Sequence, residues 1–162
     1  VGYCPASQIL YEDLAPIAQF LAHDLPIALA TDCAASNDTA DMFQEMRLSY
    51  LLARDRKCDV DPRTVFSWAT IGGAAALGLK DHCGSLEVGK YADLVVLEHP
   101  LDCEPLNEPW AHLVSSLSSR HIRHVMVGGR WVVWNREIVT ADAQALAQEV
   151  RAANAELHQR LS

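Results

Sequence analysis

A crowded polar segment follows an apolar run near the start of the chain. The run PIALAT at 26–31 leads into Asp32, and Ser36, Asn37, Asp38 and Thr39 follow before the next helical pattern. A strand-to-helix turn needs only one capping side chain. A carboxylate directly after a buried parallel strand lies where βα proteins assemble their sites, and it can bind a metal ion or transfer a proton. Asp32 is therefore the first candidate for chemistry.

The same residues also have purely structural interpretations. Asp32 could cap the turn or pair with a cation, and Ser36 and Asn37 could belong to an N-cap and Asx-turn cluster. Ser7 and Gln8 follow a first short apolar run. If that run is a strand beside 26–31, their loop opens on the same edge of the sheet. An ordinary polar loop explains them equally well.

Histidines and cysteines show no metal-binding motif. The seven histidines are scattered, and the five cysteines have no CxxC spacing. We interpret the cysteines as free thiols and predict a cytoplasmic location. A catalytic zinc usually has three protein ligands, so Asp32 alone cannot hold a metal ion.

Composition narrows the class of protein. Half of the 162 residues are hydrophobic, enough for a sizeable core, and the net charge is −8. Such an acidic chain lacks the basic face that nucleic acid requires. No apolar stretch approaches the roughly 20 residues of a membrane span, and no signal peptide is evident. We therefore expect neither nucleic acid nor membrane as a partner. The first residue is Val, which leads us to expect that the natural N-terminus lies upstream.

The elements that would position Asp32 alternate between strand and helix. Residues 39–55 are the strongest helix prediction, because their apolar side chains recur at helical spacing. Asp61 and Pro62 are typical of a helix start. The pattern therefore predicts α/β architecture with a parallel sheet. The predicted order is a strand at 1–4, a helix at 13–23, a strand at 26–31, a helix at 39–55 and two helices within 62–79.

The pattern changes after Gly84. We predict a short strand, a Gly-Lys turn and a longer strand within 84–99, and a loop at 100–110. A hairpin follows, with Gly128 and Gly129 in its turn. Residues 141–161 are predicted to form a helix that Thr140 caps. Its expected buried stripe consists of Leu146, Val150, Ala153 and Leu157.

Several segments, in order, resemble one protein family. They read CPAS, ATDCAASNDTADMFQEMR, SWATIGGAAALGL, GSLEVGKYADLVVLE and HVMVGGRWVV. Together they resemble the C-terminal part of the amidohydrolase superfamily. The closest similarity is to its aminohydrolase and chlorohydrolase branch, which includes methylthioadenosine/S-adenosylhomocysteine deaminases, guanine deaminases and triazine hydrolases.

The resemblance implies a fold and a domain organisation. Residues 1–79 would be the last two βα units of a TIM-type (β/α)₈ barrel. Residues 80–140 would belong to a flanking β-sandwich, and 141–162 would form a helix that packs on the barrel. Two strands cannot close a barrel, so we expect a fragment of a protein of about 400 or more residues. Alone it should aggregate or pair with another copy, and we expect a homo-oligomer.

The resemblance also implies a function. Members bind one divalent metal ion, usually zinc or iron, through histidines that this chain lacks and an aspartate that Asp32 matches. Asp32 would then be both metal ligand and catalytic residue, with metal-bound water as the nucleophile. Ser7, Gln8, Ser36 and Asn37 would bind the substrate.

The expected activity is hydrolysis of a non-peptide C–N bond in a cyclic amidine or aminated heterocycle. Adenosine-type, guanine-type, pterin and triazine substrates, deamination or dechlorination, and the metal's identity stay open. The alternative is a non-enzymatic remnant or oligomerising module without a complete metal site. Three residues depart from the family pattern and bear on the pocket: Tyr3 replaces a frequent His, Gln8 a frequent Asn and Cys33 a Gly.

Overall fold

The computed structural model describes residues 1–11 and 13–161, so Ser162 of the predicted last segment lies outside the described residues. Two short parallel strands open the fold, with Gly2 opposite Ala28 and Tyr3 opposite Leu29. The predicted parallel α/β arrangement is thus confirmed for this half of the chain. Its elements are β1 (Gly2–Tyr3), α1 (Pro5–Leu10), α2 (Ile17–Ala22), β2 (Ala28–Leu29), α3 (Ala34–Asn37), α4 (Met42–Asp55), α5 (Pro62–Ser67), a π-helical turn (Trp68–Gly72) and α6 (Gly73–Ala76).

Capping side chains set the helix starts. Asp41 accepts a hydrogen bond from the backbone N–H of Phe43 at 2.9 Å, so α4 begins at Met42 rather than near 39 as predicted. Asp61 accepts from the N–H of Thr64 at 2.7 Å and begins α5, as predicted. Each carboxylate satisfies an N–H group that has no partner within its helix.

The helical segment that ends in α6 lies directly on β2. A Cβ atom at Gly72 would be 2.5 Å from the carbonyl oxygen of Ile27, closer than real atoms approach. A Cβ at the neighbouring Gly73 would have no other atom within 4 Å. Only glycine at 72 therefore allows this close approach of helix to strand.

An antiparallel four-stranded sheet forms the second half, in the order β3-β4-β5-β6. The predicted hairpin is confirmed, since Gly128 and Gly129 adopt φ values of 56° and 79° between β4 and β5. The remaining elements are β3 (Leu94–Leu97), α7 (Pro109–Ser115), β4 (Ile122–Val127), β5 (Arg130–Trp134), β6 (Glu137–Ile138) and α8 (Ala143–Leu161), with 3₁₀ turns at Leu101–Cys103 and Ser119–His121.

Two predictions in this half were wrong. Residues 85–88 form no strand, because local hydrogen bonds fold them into a turn in which Lys90 donates to Ser85 at 2.6 Å and Ser85 donates to Glu87 at 2.5 Å. The predicted loop at 100–110 contains a 3₁₀ turn and the start of α7. The prolines that suggested a loop include Pro109, which occupies the first turn of α7, where proline is tolerated.

The core lies in the first half of the chain together with α7. Val114 of α7 is 1% exposed and packs in the same cluster as Met46, Val65 and Trp68. Among the described residues, every buried one lies between Tyr3 and Val114. The hydrophobic cluster thus joins α7 to the α/β half.

The stripe that was predicted to be buried on α8 is exposed within this chain, and the predicted packing of this helix on the barrel stays a prediction. Leu146, Val150 and Leu157 are 56%, 60% and 54% exposed, so their stripe is not buried within this chain. Thr140 is not the cap either, because Asp142 accepts from the N–H groups of Gln144 and Ala145 at 3.0 Å. The aspartate thus satisfies two of the N–H groups that have no partner within the first turn.

Candidate functional site

Asp32 and Ser7 meet at the carboxyl ends of the two parallel strands. The Ser7 hydroxyl donates to Oδ2 of Asp32 at 2.7 Å, and the backbone N–H of Cys33 donates to Oδ1 at 2.7 Å. Asp32 itself is exposed and has a φ of 62°, a conformation that Asp tolerates better than most residues. Two residues that were predicted for one site are therefore in direct contact.

Hydrogen bonds keep Asp32 ionised. The Ser7 side chain has the largest effect in lowering the pKa of Asp32, followed by the Cys33 backbone and the Ser36 side chain. Each of these donors stabilises the carboxylate more than the carboxylic acid. The two carboxylate oxygens of Asp32 together offer about four acceptor positions, more than these donors occupy. Asp32 can therefore accept further hydrogen bonds, take up a proton or contact a cation.

Ser7 reaches Asp32 from a helix and not from the predicted loop. Pro5 occupies the first position of α1 and Cys4 precedes it as N-cap, so CPASQ starts a helix. Ser7 is 6% exposed, which gives its hydroxyl a fixed position. The prediction treated Pro5 as the end of a strand and missed that proline also favours a first helical turn.

Gln8 and Ser36 contact neighbouring backbone. Oε1 of Gln8 accepts from the N–H of Ala15 at 3.2 Å and braces the segment between α1 and α2. The Ser36 hydroxyl donates to the carbonyl of Cys33 at 3.3 Å and lies 3.0 Å from its sulfur. The Ser36 side chain is also the main cause of the lowered pKa of the exposed Cys33 thiol. The substrate-binding roles of Gln8 and Ser36 stay predictions.

Asn37 is buried and binds the protein itself. Its Nδ2 donates to the carbonyl of Thr31 at 2.6 Å and to Oε1 of Glu45 at 2.7 Å, and the residue is 4% exposed. These contacts give Asn37 a structural task beside Asp32, and the predicted substrate contact stays a prediction.

Glu45 is the residue that sequence reasoning missed. It is 0% exposed and accepts hydrogen bonds from Asn37 and from the backbone N–H of Ala6 at 3.0 Å. A signal was present, since Glu45 adjoins Met46 and stands one turn before Ser49 on the buried side of α4. A carboxylate within a buried helical stripe indicates a specific partner.

Tyr3 belongs to the core. It is 1% exposed, and burial raises its pKa to about 12, with the Glu45 carboxylate acting in the same direction. The phenol is therefore neutral at physiological pH and takes no part in acid–base chemistry there.

A complete metal centre is not formed by these residues. Within the described ranges, no three His, Cys, Asp or Glu side chains come together in a way that could hold a metal ion. The ionised oxygen donors of Asp32 suit one coordination position of a divalent cation. Further ligands would have to come from outside the described residues.

Sequence comparison assigns the family. The chain belongs to the amidohydrolase family, whose model matches residues 1–132. It is 34% identical over 152 residues to a 5-methylthioadenosine/S-adenosylhomocysteine deaminase of Teredinibacter turnerae, and that match covers 91% of this chain. A deaminase of the same name from Bacillus thuringiensis is 35% identical over 155 residues, which cover 92% of this chain and 35% of that protein. The resemblance noted from the motifs is thereby confirmed.

Solved structures agree with this family. An adenosine deaminase from Xanthomonas campestris with bound zinc superposes with a TM-score of 0.92 at 31% identity, over 98% of this chain and 37% of that one. Atrazine chlorohydrolase from Arthrobacter aurescens, complexed with zinc, gives a TM-score of 0.83 at 26% identity. That match covers 93% of this chain and 35% of the chlorohydrolase chain. The chain spans about a third of the length of the curated relatives, 34% in the first case.

In the part of the chain that the structure describes, no helix is long and apolar enough to cross a membrane.

Proposed function

We propose that this chain is the C-terminal part of a metal-dependent hydrolase that deaminates a small aminated heterocycle. The observation that carries the proposal is the ionised Asp32 carboxylate, oriented by Ser7 at the carboxyl ends of two parallel strands. The deaminase names of the relatives and the zinc in two structural neighbours support this reaction class. An adenosine derivative is the preferred substrate, since the relatives at 34% and 35% identity are named as deaminases of 5-methylthioadenosine and S-adenosylhomocysteine.

In this proposal residues 1–79 are the last two βα units of a (β/α)₈ barrel, and 80–140 belong to a flanking β-sandwich. In the same proposal, the helix α8 packs on the barrel. Two parallel strands cannot close a barrel, so further strands have to complete it. The exposed stripe of α8 is compatible with packing against those missing units. The comparisons do not support the alternative of a non-enzymatic remnant or oligomerising module, because the relatives and structural neighbours are named as deaminases and a chlorohydrolase.

Asp32 has a defined task in such a site. It would provide one oxygen ligand to a divalent ion, zinc in preference to iron. When bound, such an ion makes hydroxide available near neutral pH. The hydrogen bond from Ser7 holds Oδ2 in place, and the lowered pKa keeps the carboxylate ionised, which is the form that binds a cation. Overall, water adds to the ring carbon, ammonia leaves, and a C–O bond replaces the C–N bond.

The test is Asp32→Asn in the protein that contains this chain. Zinc content is measured by mass spectrometry, and ammonia release is assayed with adenosine, 5-methylthioadenosine, guanine and an aminated triazine. Loss of an acid–base group typically lowers the rate by about 10²–10⁴-fold, and we expect at least that reduction with one of these substrates.

Asp24→Asn is the matched control. Asp24 is also an exposed aspartate with a positive φ, of 50°, but it lies before β2, at the other end of that strand. Its replacement should leave both activity and zinc content unchanged. Full activity of Asp32→Asn, or no hydrolysis of any of the four substrates by the zinc-loaded wild type, would contradict the proposal.

A further inference from the structure

We infer that Glu45 is a positioning residue that holds the Ser7–Asp32 pair in its geometry. The consequence for catalysis rests on the proposed function, whereas the structural part does not. A fully buried carboxylate is costly to desolvate. Glu45 accepts two hydrogen bonds from neutral donors, one to each oxygen. Those two donors belong to the two segments that form the candidate site.

One oxygen of Glu45 holds the Ser7 side of the pair. Oε2 accepts the backbone N–H of Ala6 at 3.0 Å, and Ala6 directly precedes Ser7 in α1. This N–H lies in the first turn of α1 and has no partner within the helix. The contact therefore fixes the start of α1 against α4.

The other oxygen holds the Asp32 side. Oε1 accepts from Nδ2 of Asn37 at 2.7 Å, and the same Nδ2 donates to the carbonyl of Thr31 at 2.6 Å. Thr31 directly precedes Asp32. Glu45 is thus linked, through one amide group, to the peptide from which the Asp32 carboxylate projects.

Backbone strain explains why this segment needs such support. Asp32 and Asp38, on either side of α3, have φ values of 62° and 57°. Such conformations have a cost in residues other than glycine, although aspartate tolerates them better than most, so contacts that hold the segment stabilise it. The bond from Asn37 to Thr31 closes the segment that contains Asp32 and ends directly before Asp38, and Glu45 orients the Asn37 amide.

The donors around position 45 call for a carboxylate. Both hydrogens of Asn37 Nδ2 are used, one for Thr31 and one for Glu45, and the second contact on Glu45 is another N–H. A glutamine has one oxygen and one NH₂ group. In either orientation its NH₂ would face a donor, so Glu45→Gln keeps the size of the side chain but loses one contact.

The experiment compares Glu45→Gln with Ser49→Ala in the protein that contains this chain. Ser49 lies one turn further along α4, is also 0% exposed, and its hydroxyl has no hydrogen-bond partner among the described residues. Hydrogen exchange is followed by mass spectrometry in peptides covering 4–11 and 30–38. We expect Glu45→Gln to speed exchange about tenfold in at least one of them, because a buried hydrogen bond is lost and its N–H donor is left without a partner. Ser49→Ala should match wild type.

Asn37→Ser tests the Asp32 side of the Glu45 contacts separately from the Ser7 side. It also replaces Glu45→Gln as the test if that variant does not fold. It removes the link to Thr31 and leaves Ala6 bound to Glu45. Exchange should therefore rise in 30–38 and stay unchanged in 4–11. Equal exchange in Glu45→Gln, Ser49→Ala and wild type would overturn the inference, as would unchanged exchange at 30–38 in Asn37→Ser.

Kinetics test the catalytic consequence. Misplacing a carboxylate that acts in the transition state lowers kcat more than it changes KM. We expect kcat of Glu45→Gln to fall at least about tenfold with KM within about threefold, and Ser49→Ala to keep both values. A wild-type kcat in Glu45→Gln would overturn the catalytic part. If the wild type hydrolyses no heterocycle, the proposed function fails, and the exchange comparison still decides the role of Glu45.

Discussion

At the scale of single residues, the site depends on buried groups beside an exposed carboxylate. Asp32 is exposed, but Ser7, Asn37 and Glu45 that surround its loop are 6%, 4% and 0% exposed. The chemistry-bearing residue was recognisable from its type and its place after a strand. The pattern of α4 could have marked Glu45 as a buried carboxylate, but it could not identify the partners of Glu45, because Ala6 is 39 residues away in the chain.

The buried phenol of Tyr3 predicts a loss of stability at alkaline pH. Its pKa is raised from 10.0 to about 12 in the fold. The contribution of the neutral Tyr3 phenol to the free energy of unfolding is therefore fully present below pH 10 and is lost as the pH rises through about 12. The contribution is at most about 3 kcal/mol for a shift of this size. In urea unfolding at about pH 9 and about pH 11.5, wild type should lose more stability than Tyr3→Phe. Equal losses would contradict the assignment.

At the scale of elements, close contacts decide where helices lie. The π-helical turn Trp68–Gly72 lies against β2, and the hydrophobic cluster includes Trp68 of this turn and Ile27 and Leu29 beside it. Helical periodicity predicted that these residues are helical. It contained no information on which strand they would touch, because that contact forms between segments about 40 residues apart.

Gly72→Ala and Gly73→Ala form a matched pair that tests this contact. A Cβ at 72 would lie 2.5 Å from the Ile27 carbonyl, whereas one at 73 meets nothing within 4 Å. We expect Gly72→Ala to lower the free energy of unfolding by about 1–3 kcal/mol through overpacking. Gly73→Ala should raise it by up to about 1 kcal/mol, because alanine favours the helix. Chemical denaturation measures both. Equal effects would contradict the close approach.

At the scale of the whole molecule, much apolar surface is uncovered. Val88 and Leu101 are 108% and 90% exposed, and none of the described residues buries the apolar stripe of α8. Contiguous exposed apolar surface indicates an interaction site or a tendency to aggregate. The sequence-based expectation that these residues alone aggregate or pair agrees with this surface, and oligomerisation stays a prediction.

Residues 1–162 produced by themselves are expected to self-associate. Size-exclusion chromatography with light scattering should show species larger than the 17.8 kDa monomer. Leu146→Lys combined with Val150→Lys should shift the distribution toward monomer, since both side chains are more than half exposed in α8. Ala152→Lys on the same helix is the control and should leave the distribution unchanged. A wild-type chain that elutes only as monomer would contradict this expectation.

Local signals were sufficient for several features. Two adjacent glycines predicted the hairpin turn, Asp61 and Pro62 predicted the start of α5, and apolar spacing predicted α4. Each depends on the backbone preferences or hydrogen bonds of a few neighbouring residues. The position of Asp32 after an apolar run was readable for the same reason, and the motifs were sufficient to recognise the family.

Other features depended on contacts between distant segments. The pattern of α8 shows an apolar stripe, but burial requires a facing surface, and none of the described residues supplies enough of one. Ser7 reaches Asp32 because α1 begins at Pro5 and β1 pairs with β2. Glu45 joins both sides because α4 packs against α1 and the Glu45 side chain also reaches Asn37 of α3. Residue type and spacing determine which groups are available for chemistry. The tertiary packing decides which of them meet, because hydrogen bonds of about 3 Å require backbone positions that only the assembled fold defines.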